Sequence, residues 1–167
     1  MPEETMTAVR AGNADAAAEE EQAELETEKY LIFLSGGVYY GVKTDYVKEL
    51  LTQWETSITR LPMLPPHLRG VINLRGGIVP MIDFRLLMGQ MPDEKFCTVV
   101  LDVEGVQIGM LVDEVDQTMD IEKSRILPVP YQSGMEAQKM VTGMYSMPAR
   151  SQTLMVLDCT MLLNGHQ

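Results

Sequence analysis

Residues 37–47 read GVYYGVKTDYV, and residues 105–115 read GVQIGMLVDEV. Both stretches contain the pattern Gly-Val-x-x-Gly-x-x-x-Asp-x-Val, and corresponding positions lie 68 residues apart. Further pairs follow in the same order: Leu31 with Val99, Phe33 with Leu101 and, with a few residues inserted, Gly70 with Gly143 and Asp83 with Asp158. So many matches in one order indicate that one small module occurs twice in the chain.

Each copy of the pattern belongs to a predicted β-hairpin. Residues 30–34 and 38–42 are strand-forming runs on either side of Ser35-Gly36-Gly37, and residues 96–103 and 106–112 flank Glu104-Gly105 in the same way. Further strands are predicted at 55–61, 68–74, 78–83, 141–147 and 153–158. Apolar spacing of three or four predicts short helical pieces at 44–51, 84–88 and 159–163. The chain is therefore predicted to be mainly β, as barrels or a sandwich.

The two copies are expected to pack against each other. A unit of about 65–75 residues buries too little surface to be robust alone. Each module would contain about five strands, and their seam is the natural place for a groove.

The charge of the chain is concentrated at its start. The 167 residues include 24 acidic and 13 basic side chains, for a net charge of −11. Residues 1–28 contain nine acids and one base, so they carry −8 and the other 139 residues carry only −3. This acidic tail has no apolar face to bury. We expect a solvated, partly helical extension, and the alternative is a docking segment for a basic partner.

Composition excludes several classes of protein. An acidic chain is a poor match for nucleic-acid phosphates, and no apolar stretch approaches the ~20 residues of a membrane-spanning helix. The first residues lack the basic start and apolar run of a secretory signal. Two cysteines cannot form a disulfide framework. These features predict a soluble, cytoplasmic protein.

The residues that usually carry catalysis are scarce. The two histidines, His67 and His166, stand in no zinc-binding pattern, and no phosphate-binding loop is present. Cys97 and Cys159 lie in apolar surroundings typical of small buried hydrophobes. The sequence therefore predicts no catalytic residue, no cofactor and no metal site. A small acidic enzyme with an unrecognised site remains the alternative from another class.

Methionine is unusually frequent. Twelve of the 14 methionines lie at or beyond Met63. Flexible thioethers fill gaps in a core or form adaptable binding surfaces. Both interpretations stay open for the second module.

One segment resembles a known family. Residues 70–76 read GVINLRG and residues 78–85 read IVPMIDFR, and together with Tyr40-Gly41-Val42, Thr59-Arg60-Leu61-Pro62 and Val112-Asp113 they resemble the CheW family of bacterial chemotaxis coupling proteins. The resemblance covers about residues 29–163. It implies two packed five-stranded SH3-like β-barrels, the first mainly 29–90 and the second mainly 95–163, which exchange edge elements. Residues 1–28 and 164–167 lie outside this domain.

The resemblance also implies a function. Members are non-catalytic adaptors that bridge the cytoplasmic tips of transmembrane chemoreceptors and the histidine kinase CheA. It implies a protein that is monomeric in isolation and assembles into arrays at the inner face of the membrane, without inserting into it. A scaffold in a non-flagellar receptor–kinase pathway, or a module like the adaptor half of CheV, is the alternative within the same fold.

The resemblance further implies which residues matter. Arg75 and its turn look like part of the partner-binding surface, as do Val47, Glu49, Val99 and Val100. Three glycines, Gly70, Gly76 and Gly109, match glycines expected to act through backbone conformation. Because strand residues alternate, only one of the two adjacent valines would line a groove between the barrels, and the other would be core.

Overall fold

The computed structural model describes residues 26–129 and 139–164. The strands are β1 (Thr27–Ser35), β2 (Val38–Lys43), β3 (Val47–Leu51), β4 (Leu68–Leu74), β5 (Gly77–Asp83), β6 (Cys97–Val103), β7 (Val106–Val112), β8 (Glu114–Glu122), β9 (Leu127–Pro128), β10 (Val141–Met147) and β11 (Gln152–Leu157). The helices are α1 (Phe84–Leu87) and α2 (Met161–Asn164), and 3₁₀ turns span Thr44–Tyr46, Gln53–Glu55 and Lys123–Arg125.

The strands form two sheets, which confirms the mainly β prediction. Sheet I has the order β8-β1-β2-β11-β10-β9, and sheet II has the order β3-β6-β7-β5-β4. Neighbouring strands are antiparallel except for β11 with β2 and β5 with β7. The two sheets are therefore alike in strand order and in the place of their single parallel pair.

The two modules exchange their opening hairpins. Hairpin β1–β2 lies in sheet I among strands of the second half, and hairpin β6–β7 lies in sheet II among strands of the first half. The exchange was predicted for edge elements, but the exchanged hairpins lie in the interior of the two sheets. The reason is their composition: residues 30–33 and 98–101 are buried without alternation, which suits strands covered on both faces.

The duplication extends to irregular details. The β4–β5 register shifts between Leu68 and Gly70, and the β10–β11 register shifts at the matching place, between Val141 and Gly143. After β5, Asp83 accepts a hydrogen bond from the backbone of residue 85, and after β11, Asp158 accepts one from the backbone of residue 160. The pairs inferred from sequence are thus structural equivalents.

Three apolar cores hold the sheets together. The seam core lies between the sheets and includes Leu31, Phe33, Tyr40, Val42, Ile82, Phe84, Val99, Leu101, Val103, Ile108, Met110, Val112, Met140, Leu157, Cys159 and Leu162. A second core belongs to sheet I and a third to sheet II. The seam, which was expected to form a groove, is occupied by the largest core of the described residues.

Two local predictions are wrong. Residues 47–51, predicted to be helical, form β3, because the spacing of Val47, Leu50 and Leu51 mimics a helix while the burial alternates as in a strand. Residues 55–61, predicted to be a strand, contribute only an isolated bridge from Thr59 to Val71.

The N-terminal boundary also differs from the expected one. Strand β1 begins at Thr27, and Glu28 forms ion pairs with Lys43 and Lys123. The helical and docking interpretations concern the acidic tail at residues 1–28, of which residues 1–25 lie outside the described residues.

Candidate functional site

Strand β3 is the edge strand of sheet II that carries two of the predicted site residues. Val47 pairs with Leu101 and Glu49 with Val100, so Lys48 is an extra residue that bulges from the ladder. Val47 is half-buried against the seam core, and Lys48 is exposed. The bulge thus leaves a lysine and a glutamate side by side at the edge of the sheet.

Arg75 lies in the turn between β4 and β5. The two-residue turn Arg75-Gly76 has φ angles of 52° and 82°, as the tight hairpins called type I′ require. The Arg75 guanidinium reaches Glu49, with Nε donating to Oε2 at 3.1 Å and Nη2 to Oε1 at 3.3 Å. The Arg75 side chain is 75% exposed and that of Glu49 is 19% exposed. Two predicted site residues that are far apart in sequence therefore form one bidentate ion pair.

This ion pair also reports the shape of sheet II. Strands β3 and β4 stand at opposite ends of the strand order. A contact between Glu49 on β3 and the turn after β4 requires the sheet to curl until its ends meet. The curl is consistent with the predicted SH3-like barrel.

A shallow groove of 340 Å³ surrounds the ion pair. It is lined by Lys48, Glu49, Leu74, Arg75, Gly77, Ile78, Gly105 and Gln107. Gly105 and Gln107 come from hairpin β6–β7, so both modules contribute to this surface because of the hairpin exchange. We call it the Arg75 groove.

Several residues of the Arg75 groove are not predicted from the sequence. Ile78 is 74% exposed, which is unusual for a large aliphatic side chain. Its position in an alternating strand, out of step with buried Val79 and Met81, was the available signal. Lys48 and Gln107 carry no signal in the sequence, because a polar residue on an edge strand or hairpin is common.

Val99 and Val100 are both fully buried. Val99 belongs to the seam core and Val100 to the core of sheet II. They do point to opposite faces of β6, as alternation requires. The expectation that one of them lines an open groove is wrong, because β6 is a central strand with both faces covered. Any part they take in binding must be indirect.

The structural reason for glycine differs among the three predicted positions. Gly70 has φ 141°, and a Cβ atom there would collide with the carbonyl of Thr59. Gly76 has φ 82° and open space around it. Gly109 lies in β7 under the end of the Met81 side chain, so it is required by close packing and not by its backbone angles.

A buried ion network surrounds Arg85, the second residue of α1. The Arg85 guanidinium, 2% exposed, contacts Asp83 through Nε at 3.0 Å and Asp113 through Nη1 at 3.1 Å. Arg69 binds the other side of Asp83 at 2.9 Å, and Asp113 accepts a hydrogen bond from the backbone of Gly36 at 2.7 Å. Within the described residues, no buried side-chain polar atom lacks a partner. The network ties sheet II to the β1–β2 turn of sheet I.

The network predicts a pH dependence of stability. Burial raises the pKa of Asp83, but hydrogen bonds and charges from Arg85 and Arg69 outweigh it and hold that pKa below its ordinary value of 3.8. A lowered carboxyl pKa adds stability above the ordinary value, and this stability is lost as the pH falls through the lowered pKa. Arg69→Met removes one of the two cations, so acid unfolding should begin at a higher pH.

The measurement is the urea midpoint from about pH 6 to about pH 2, where acid unfolding of proteins occurs. Arg125→Met, at an exposed arginine paired with Glu122, is the control and should leave the acid limb in place. Coincident acid limbs for Arg69→Met and the wild type would contradict the prediction.

Known proteins that resemble this chain show the family to which it belongs. The family model described as CheW-like domain matches residues 29–167. The chain belongs to the CheW family. It is 30% identical over 143 residues to the chemotaxis protein CheW of Klebsiella aerogenes, covering 84% of each chain. It is 27% identical over 147 residues to that of Bacillus subtilis, covering 85% of this chain and 91% of the relative.

A solved CheW structure has the same fold. The crystal structure of the scaffolding protein TtCheW from Thermoanaerobacter tengcongensis matches with a TM-score of 0.71 and 25% identity. The match covers 80% of this chain and 90% of that chain. The predicted family and fold class are therefore confirmed.

CheW proteins are non-catalytic scaffolds of chemotaxis, so this chain is not an enzyme. Burial raises the pKa of the Cys159 thiol to about 12 and also raises the pKa of the Cys97 thiol. Both thiols therefore stay protonated and unreactive, as expected for a non-catalytic protein. No group of three or more His, Cys, Asp or Glu in the described ranges could hold a metal ion. The helices described here have four residues each and are too short to cross a membrane.

The methionines of this CheW chain are found both in the cores and on the surface. Met81, Met110, Met140 and Met147 are buried in the three cores or their surroundings. Met63 and Met91 are fully exposed. Core packing therefore accounts for several methionines of the second module, and the role of that module as a binding surface stays a prediction.

Proposed function

We propose that this chain couples the cytoplasmic tips of transmembrane chemoreceptors to a CheA-type histidine kinase. It would do so as a monomer that joins receptor–kinase arrays at the inner face of the membrane. The observation that carries the proposal is the exposed Arg75–Glu49 ion pair in the Arg75 groove, on residues that the family resemblance marks as functional.

The Arg75 groove has the properties of a protein-docking surface. Arginine and large apolar side chains supply much of the energy of protein interfaces, and Arg75 and Ile78 are both exposed here. The bidentate contact with Glu49 holds Arg75 in one orientation before a partner arrives. Less side-chain entropy is then lost on binding, which favours affinity.

The remaining predicted residues would act through the position of β3. Val100 pairs with Glu49, and Val99 pairs with Leu50, so both valines support the strand that presents Glu49. Val47 anchors the start of the same strand on the seam core. We expect substitutions at these three positions to weaken coupling by shifting β3 and not by removing a contact with a partner.

Charge reversal at Arg75 tests the proposal. The receptor signalling domain, the kinase and this protein are co-sedimented at micromolar concentration. The wild type should be retained with both partners, and Arg75→Glu should weaken retention at least tenfold, about 1.4 kcal/mol in binding free energy. The thermal midpoint should change little, because an exposed ion pair contributes little to stability.

Two further variants make this result specific. Arg125→Glu reverses another exposed, ion-paired arginine outside the Arg75 groove and should retain both partners. The double variant Glu49→Arg with Arg75→Glu restores the ion pair with its two charges exchanged. It should still bind poorly, because the proposed partner contact needs the positive charge at position 75. Failure of the wild type to retain either partner would overturn the proposal.

A further inference from the structure

Trp54, the single tryptophan of the chain, stands almost free of the protein surface. Its side chain is 93% exposed, although tryptophan is normally highly buried. It borders an open pocket of 590 Å³ that shares no lining residue with the Arg75 groove. The lining residues are Gln53, Trp54, Thr56, Ile58, Arg60, Arg69, Arg85, Pro92, Asp93, Glu94, Phe96 and Leu111. We call it the Trp54 pocket.

The exposure of Trp54 is built into its 3₁₀ turn. Both the backbone and the hydroxyl of Thr52 donate to Glu55 Oε1, at 3.2 and 2.8 Å. The hydroxyl of Thr56 donates to the carbonyl of Thr52 at 2.8 Å, and Gln53 Nε2 donates to the carbonyl of Glu94 at 3.0 Å. Four hydrogen bonds therefore hold the turn that presents the indole to solvent.

The Trp54 pocket is lined by apolar, basic and acidic side chains. Ile58, Phe96 and Leu111 belong to the core of sheet II or pack on it, and they supply an apolar floor. Arg60 lines the pocket and makes no ion pair within residues 26–129 and 139–164. Asp93 and Glu94 also line the pocket. An acidic group would be attracted at Arg60, while Asp93 and Glu94 disfavour a strongly acidic occupant.

We propose that the Trp54 pocket is a second docking site, for a segment of another protein that presents an aliphatic side chain next to a carboxylate. The aliphatic side chain fills the apolar floor beside the indole, and the carboxylate pairs with Arg60. Tryptophan and arginine are the side chains most enriched among residues that dominate binding energy. This proposal is independent of the receptor–kinase assignment.

The acidic run of the same chain is too close to its anchor to be this occupant. Glu26 is held at the start of β1 by Lys123, and the Ser35–Gln90 hydrogen bond ties the far end of β1 to the loop after α1, three residues before Asp93 in sequence. A nine-residue strand is about 30 Å long. Residues 19–24 lie at most seven positions before Glu26 and can span only about 25 Å even when extended. The run at residues 19–24 is therefore not the source of the carboxylate.

The indole of Trp54 reports on its own site. Three blocked peptides serve as probes, with Leu-Leu next to Glu, Gln or Lys in an alanine context. Titrating the Glu peptide into the full chain should shift the emission of Trp54 to shorter wavelength with saturation. The Gln peptide should bind about tenfold more weakly, since a charge-assisted hydrogen bond is lost. The Lys peptide should bind more weakly still.

Variants of Arg60 decide the outcome. Arg60→Gln should remove the preference for the Glu peptide, and Arg60→Glu should reverse it in favour of the Lys peptide. Arg125→Gln, outside the pocket, should behave as the wild type. Equal affinity for the three peptides, or no saturable shift up to millimolar concentration, would overturn the proposal. An emission shift that depends only on protein concentration would overturn it as well, because the occupant would then be a second copy of the chain.

Discussion

Replacing Arg85 by methionine should lower the free energy of unfolding by about 3–5 kcal/mol, as expected when one member of a buried ion pair is removed. Methionine preserves much of the volume of the side chain but none of its donors. Asp83 would keep only Arg69, and Asp113 would lose its buried cation. The carbonyls of Asp93 and Lys95 would also lose the guanidinium hydrogen bonds of 2.9 and 2.8 Å. Urea unfolding measures the change directly.

Arg75→Met is the matched control for this prediction. It removes an arginine that also binds a carboxylate through two hydrogen bonds, but at a site that is 75% exposed. Water and salt screen such a pair, so the urea midpoint should stay close to that of the wild type. Similar midpoints for Arg85→Met and Arg75→Met would show that the network contributes no special stability. In partner binding we expect the opposite order: Arg75→Met should weaken binding more than Arg85→Met, because Arg75 is the proposed contact.

The duplication and most of the strands were predictable from the sequence. The matching stretches at 37–47 and 105–115 revealed the duplication, and the apolar runs of β1 and β6 revealed strands. The exchange of hairpins was not accessible in the same way. Because both modules share one pattern, the apolar residues of hairpin β1–β2 would be buried equally well in either sheet. The choice depends on its pairing with β8 and β11, which are distant in sequence.

The candidate site was predictable as a set of residues but not as a geometry. The family resemblance marked Arg75 and Glu49 separately, and only the curl of sheet II brings them into one ion pair. For Val99 and Val100, alternation correctly placed the side chains on opposite faces. It could not show that both faces are covered, since that depends on the seam core. Trp54 was passed over because exposure cannot be read from a residue type that is usually buried.

Gly70 is the position where the smallest substitution should have a large effect. Its φ of 141° is a conformation that L-residues rarely adopt, and a Cβ atom would collide with the carbonyl of Thr59. That carbonyl cannot withdraw cheaply, because it accepts the backbone hydrogen bond of Val71 at 2.9 Å. Strain and overpacking together predict that Gly70→Ala lowers the free energy of unfolding by about 3–4 kcal/mol.

Gly76→Ala and Gly143→Ala separate the two causes. Gly76 has φ 82° but no atom within 4 Å of the added carbon, so only the backbone strain remains, and the loss should be about 1–2 kcal/mol. Gly143 is the structural equivalent of Gly70 in the second module, and its added carbon would meet the Ile126 side chain at 2.6 Å, which can rotate more easily than a backbone carbonyl can move. Urea unfolding should therefore find the largest loss at Gly70. If Gly70→Ala were no more harmful than Gly76→Ala, the close approach of Thr59 would not be what requires this glycine, and a backbone conformation alone would explain it.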